Sequence, residues 1–275
     1  MLPSDFHYTY TFPVHTNSYG LRYKEIRQKN ENEFRILVLG DSYVYGQGIS
    51  NERLFTSLLE ERLNASKSAT AVSVINAGVR AYSINQEVAF LEHVGVTFEP
   101  DLVVLCFYIN DFEIVDIKKT YEAKKRLNGG KYYVFDLHDI DSREELRRWR
   151  RIQFLRQFRS GMYFYDRINA WRARDDYRAK LLNGICDKKI KTMIDQVGEY
   201  IRKFKQIVST NQMQGLIVVI PVANQISKDF PNEIYQSTIQ SLAKKYELEY
   251  LDLLPALKEE YYLVNRLPII PFDGH

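Results

Sequence analysis

Short apolar runs punctuate this chain at intervals that leave room for a helix between one run and the next. Phe34–Gly40 (FRILVLG) is almost continuously apolar and ends in glycine, the pattern of a strand buried on both faces. Leu54, Leu58, Leu59 and Leu63 then recur at helical spacing. Ala71–Ala77 (AVSVINA) reads as a second strand and Ile84–Val94 as a helix. Leu102–Ile109 (LVVLCFYI), introduced by Pro100 and Asp101, is a third strand. Farther on, Lys188–Val208 predicts a long helix and Leu216–Val222 (LIVVIPV) a fourth strand. A helix over Glu233–Lys245 and a shorter fifth strand over Leu248–Leu254 follow. Strand–helix alternation of this kind predicts an α/β fold, a three-layer α/β/α sandwich on a five-stranded parallel sheet. The flavodoxin-like strand order 2-1-3-4-5 is the expected arrangement, with right-handed crossovers.

Composition changes this picture little. The 275 residues are 45% hydrophobic and 27% charged, as in a globular protein. A net charge of +3 is too small to imply nucleic acid. No apolar run approaches the ~18 residues that cross a bilayer. Met1–Leu21 lacks the basic start and apolar stretch of a signal peptide. The chain is therefore read as soluble, in a compartment the sequence leaves open, as it does the oligomeric state. Its two cysteines fit neither a disulfide framework nor a metal motif, and Cys106, inside an apolar run, reads as a buried core thiol. The charge itself is uneven. Ser142–Lys180 holds 12 basic and 5 acidic residues, a local +7 against −4 for the remainder. That marks an insertion, at about 112–186, within a single domain spanning 1–275.

Ligands of such sheets sit beyond the carboxyl ends of the strands, where the order reverses. Three neighbouring strands end there in small or polar residues: Gly40-Asp41-Ser42, Asn76-Ala77-Gly78 and Asn110-Asp111. With strands ~4.8 Å apart, Ser42, Gly78 and Asn110 share one cleft. A serine at a strand-to-helix turn exposes its hydroxyl as a nucleophile. The amides of Ser42 and Gly78, with the Asn110 side chain, would hold an oxyanion, and Asp41 and Asp111 would support them. The chain ends in Asp273-Gly274-His275, where Asp273 would orient His275 and His275 would take the Ser42 proton. In extended form, Leu254 to Asp273 would reach roughly 60 Å, against a gap of about 15 Å. His7, His15, His93 and His138 do not follow the fifth strand and are poorer bases.

These blocks together resemble the SGNH hydrolases, also called the GDSL esterase/lipase family. Gly40-Asp41-Ser42-Tyr43 is similar to its first block with Tyr43 in place of Leu, and Asn76-Ala77-Gly78 to its second. Asn110-Asp111 is similar to the third, with Tyr108 where many members have Gly. Asp273 and His275 resemble the last block in its Asp-x-His form, as in alginate-type O-acetyltransferase relatives. Thr16–Arg22 (TNSYGLR) is similar to a segment preceding the first block in a bacterial subgroup. The resemblance implies ester hydrolysis or acyl transfer through an acyl-serine, on a small-molecule or glycan ester, with no metal or organic cofactor.

Within the insertion, Ser142–Ser160 (SREELRRWRRIQFLRQFRS) has the pattern of an amphipathic helix, N-capped by Ser142 with Glu145 at the capping-box position. It reads first as a helical cap packed on the main domain, and second as a peripheral contact to an anionic membrane or acidic glycan. Nucleic acid is not expected, since no recognisable binding module accompanies the basic run. Two rivals to catalysis remain. One is a binding protein that keeps the fold without the chemistry. The other is a flavodoxin-like cofactor binder, which Asp41 disfavours by setting an acid where a phosphate would sit.

Overall fold

The computed structural model describes residues 14–65, 70–115 and 176–264. Five parallel strands, β1 (Glu33–Gly40), β2 (Ala71–Gly78), β3 (Leu102–Phe107), β4 (Gln214–Val219) and β5 (Glu249–Asp252), pair in the order β2-β1-β3-β4-β5. This is the expected order 2-1-3-4-5, with helices on both faces, and the fold is the expected α/β/α sandwich. The helices are α1 (Ser42–Tyr45), α2 (Phe55–Ala65), α3 (Ile84–His93), α4 (Tyr177–Leu182) and α5 (Lys188–Thr210), then α6 (Ala223–Ser227), α7 (Tyr235–Lys245) and α8 (Leu254–Val264).

The apolar runs are strands because both faces of the sheet are covered. Leu37, Leu39, Ile75, Val103, Leu105, Ile217 and Val219 join a core with Ile84, Val88 and Leu91 of α3, Phe204 of α5 and Ile239 of α7. The intervening residues Ile36, Val38, Val74, Val104, Cys106 and Val218 pack on the opposite face with Val44 of α1. Cys106 is thus the buried thiol expected, while Cys186 is exposed.

Several boundaries differ from expectation. β3 stops at Phe107 because residues Ile109–Phe112 form a 3₁₀ turn, in which the Tyr108 amide donates to Asp111 Oδ2 (2.8 Å) instead of a strand. β4 starts two residues early, and ends at Val219, just before Ile220 and Pro221. The expected strand over Leu248–Leu254 is shorter, and α8, with Pro255 in its first turn, begins at Leu254. The span from Leu254 is therefore partly helical rather than extended, which shortens its reach. Within the span expected to be an insertion, Leu181 and Leu182 of α4 belong to the core. The Ser142–Ser160 segment lies outside the described residues. Among the described residues no helix is long and apolar enough to cross a membrane, and no group of three or more His, Cys, Asp or Glu could hold a metal.

Candidate active site

The site begins with a sharp turn at the end of β1. Gly40 is required there, because an added Cβ would collide with the Val44 side chain and crowd Cys106. Asp41 N-caps α1, its Oδ1 accepting the Tyr43 amide at 2.9 Å, and Ser42 becomes the first helical residue. A first-turn amide has no acceptor within its own helix. Ser42 is partly exposed, whereas Asp41 is 2% exposed.

The end of β2 is locked against that turn. The Asn76 side chain, wholly buried, donates from Nδ2 to Val44 O (2.7 Å) and Thr56 Oγ1 (3.2 Å). Its Oδ1 accepts the Gly78 amide at 3.0 Å. A Cβ on Gly78 would overlap the backbone of Val44 and Tyr45, so glycine lets β2 and α1 touch. Gly78 therefore lies where the sequence places it, but its N–H is engaged by Asn76.

β3 brings the third element. Asn110 Nδ2 donates to Asp41 Oδ2 at 2.8 Å, tying the 3₁₀ turn to the residue beside Ser42. An amide NH₂ carries two hydrogens, so one remains for another acceptor. Asp111 closes the same turn through Tyr108 N–H and also accepts the Ile84 amide at the start of α3. Two aromatic rings flank the turns: Tyr43 and Tyr108 lie 4.4 Å apart between centroids, and their side chains share a hydrogen bond. Burial, chiefly, raises the Tyr108 phenol above its usual range. The two positions that depart from the motif thus meet each other.

Ser42, Gly78, Asn110, Asp41 and Asp111 are brought to one rim of the sheet. Asp273 and His275 lie outside the described residues. His93 is a surface histidine, its side chain 74% exposed.

Residues to which the sequence assigns no role complete the scaffold. Arg22, 2% exposed, donates to Tyr45 O (3.0 Å), Gly46 O (2.7 Å), Ile49 O (2.7 Å) and Asn51 Oδ1 (2.6 Å), clamping the loop that follows α1. Its segment is itself folded by Asn17, whose Oδ1 accepts the Tyr19 and Leu21 amides at 3.0 Å. The sequence marks TNSYGLR only as similar to a segment of a bacterial subgroup, and this contact gives it a structural role. Glu87 is 1% exposed within the α3 stripe Ile84, Val88 and Leu91. An acid on an apolar helical stripe was the legible signal.

A family model described as GDSL-like Lipase/Acylhydrolase family matches residues 38–266. The chain belongs to that family. It is a carboxylic ester hydrolase by that membership. Among solved structures it is similar to TesA (13% identity, 87% of each chain, TM-score 0.46). It is also similar to the acetyl xylan esterase AlAXEase (15% identity, 84% of this chain and 83% of that one, TM-score 0.47). A third is a catalytic mutant of Axe2, an acetylxylan esterase from Geobacillus stearothermophilus (12% identity, 86% of this chain and 82% of that one, TM-score 0.46). No curated protein sequence matches. The strand order, rather than these overlays, carries the fold of this GDSL-like protein.

Proposed function

We propose that this GDSL-like hydrolase cleaves its ester through an acyl-enzyme formed on Ser42. His275 removes the hydroxyl proton as Ser42 Oγ bonds to the acyl carbon, and returns that proton to the departing alcohol oxygen. Water, deprotonated by the same imidazole, then attacks the acyl carbon, and the imidazolium gives that proton to Ser42 Oγ as its bond to the acyl carbon breaks, releasing the acid and restoring the hydroxyl. Asp273 orients His275; both roles rest on the Asp-x-His spacing. The oxyanion of each tetrahedral intermediate is held by the Ser42 amide and the second hydrogen of Asn110 Nδ2, with Gly78 N–H joining them as it yields its bond to Asn76.

What carries the reading is the 2.8 Å bond from Asn110 to Asp41, which ties a neutral donor on the turn after β3 to the residue immediately before Ser42. The substrate is a small-molecule or glycan ester, and the Tyr43–Tyr108 pair forms a wall beside Ser42. A sugar hydroxyl in place of water would make the same acyl-enzyme an O-acetyltransferase, the reaction suggested by the Asp273–His275 spacing. Ser142–Ser160 would supply any peripheral membrane contact.

The test is labelling with a fluorophosphonate and turnover of nitrophenyl esters of increasing chain length. Ser42→Ala should abolish labelling and lower kcat by about 10⁴-fold or more. Unchanged labelling or turnover in that variant overturns the nucleophile and favours a binding role. Acetyl transfer to an added glycan exceeding release to water would replace hydrolysis with transfer.

A further inference from the structure

Beneath the cleft lie carboxyl groups that the proposed chemistry does not use. Glu87 stands one turn into α3, 1% exposed, with both side-chain oxygens buried and without a hydrogen-bond partner. Asp111 is fully buried; its Oδ2 accepts the Tyr108 amide at 2.8 Å, the Ile84 amide also bonds its carboxylate, and its Oδ1 has no partner. Asn110 Oδ1, next in the chain, is also buried and unpartnered. Among the described residues, the charges acting on Glu87 are those of Asp111 and Asp41. The Cys106 thiol of β3 lies within the same field, the Tyr108 phenol feels the charge of Asp41, and the Tyr235 phenol, bonded to the Phe107 and Ile220 carbonyls, feels those of Asp111 and Asp41. From α5, which also packs on α3, Lys203 is bonded to Glu92 (2.6 Å) near the other end of that helix.

An ionised carboxylate buried without a partner costs several kcal/mol, so a proton is the simplest resolution. The geometry also says where it resides. Asp111 receives the Tyr108 amide of its own turn and the Ile84 amide at the start of α3, which favour its charge, and Glu87 receives no such donor. We propose that Glu87 is a positioning residue: a neutral carboxylic acid whose O–H donates to Asp111 Oδ1 and so keeps the Asn110 turn docked on α3. The inference rests on the oxyanion role given to Asn110 above. In agreement, burial first, then the charges of Asp111 and Asp41, push the Glu87 carboxyl well above its usual range. Burial and Asp41 raise Asp111 as well, against the lowering by its two amides. Loss of the shared proton at alkaline pH sets two negative charges together and loosens the turn that carries Asn110.

The experiment compares the full chain with Glu87→Gln and Glu87→Leu. Glutamine keeps a donor for Asp111 Oδ1 and leucine does not. Leucine should lower kcat by up to roughly 10²-fold with KM little changed, and glutamine should restore most of it. The wild type should lose kcat on its alkaline limb, a loss that Glu87→Gln lacks. Infrared difference spectra of wild type minus Glu87→Gln at neutral pH should carry the carbonyl stretch of a neutral carboxylic acid. A carboxylate band there, or a glutamine variant as impaired as leucine, overturns the proposal. Should the leucine variant not fold, the glutamine pH profile and the infrared band still decide. The band is read without turnover, so failure of the Ser42 chemistry is distinguishable from failure of the Glu87 proton.

Discussion

The two rims of the sheet treat buried acids in opposite ways. At the amino rim they meet cations. The Arg35 guanidinium bonds Glu33 (2.9 Å) and the carbonyls of Phe98 (2.6 Å) and Arg27 (3.2 Å). Asp101 takes Lys29 at 2.6 Å and the Arg35 amide at 2.6 Å. A cavity of about 360 Å³ opens there, lined by Tyr23, Arg27, Glu33 and Arg35 among others, and its carboxylate Glu33 is already bonded to Arg35. At the carboxyl rim the acids meet amides instead: Asp41 takes Tyr43 N–H and Asn110, and Asp111 takes Tyr108 and Ile84. A cation satisfies a carboxylate completely and ends its chemistry. An amide leaves it able to orient a donor beside a nucleophile. Perturbed acids in a cleft therefore mark function, and paired acids mark support.

Substitution at the two rims should separate stability from activity. The largest expected effect on folding is at the amino rim. Arg35→Ala removes the cation of a largely buried pair, leaving Glu33 to Ser73 and the Asn30 amide, and the Phe98 carbonyl without its donor, and should cost about 3 kcal/mol in urea unfolding, with kcat of the folded fraction intact. A loss of activity per folded molecule would break the division. At the carboxyl rim, Asn110→Ala should lower kcat by about 10²–10³-fold, equivalent to about 2.7–4 kcal/mol of transition-state stabilisation. Its melting temperature should move much less than that of Arg35→Ala.

The subtlest contrast is in pH. Burial alone would raise the Glu33 carboxyl, but bonds from Ser73, the Asn30 amide and Arg35 outweigh it and hold it below its ordinary 4.5. A lowered acid stabilises the fold above its ordinary value, and that stability is lost as pH falls. Glu87 is raised, so its contribution is present below 4.5 and is lost as pH rises towards its folded value. Glu33→Gln should flatten the acid side of a melting-temperature profile, and Glu87→Gln the alkaline side. The same side flattening in both variants would erase the distinction.

Much of this was readable in the chain. β1 to β3 announced themselves because strands covered on both faces need unbroken apolar runs, and their polar ends located the rim. What escaped was set by contacts distant in sequence. The strand predicted to Ile109 ends at Phe107 because Asp111 takes the Tyr108 amide. α8 was missed because the span after Leu254 reads as extended, whereas Pro255 sits in the first helical turn, where its missing N–H costs nothing. Gly78 read as a donor to the cleft, yet the Asn76 side chain two residues earlier holds its amide. Glu87 was visible as an acid on an apolar stripe, but only the neighbouring Asp111 gives that position meaning.

The clamp made by Arg22 bears on where this protein can be cut. The family match begins at residue 38, inside β1, which invites trimming to that point. A polypeptide shortened so would lose more than half of its first strand and the four-point grip on the loop behind the nucleophile. Restoring β1 alone, from Glu33, would mend the sheet and leave that loop unheld. The smallest active fragment should therefore begin upstream of Asn17, ahead of anything the family pattern describes.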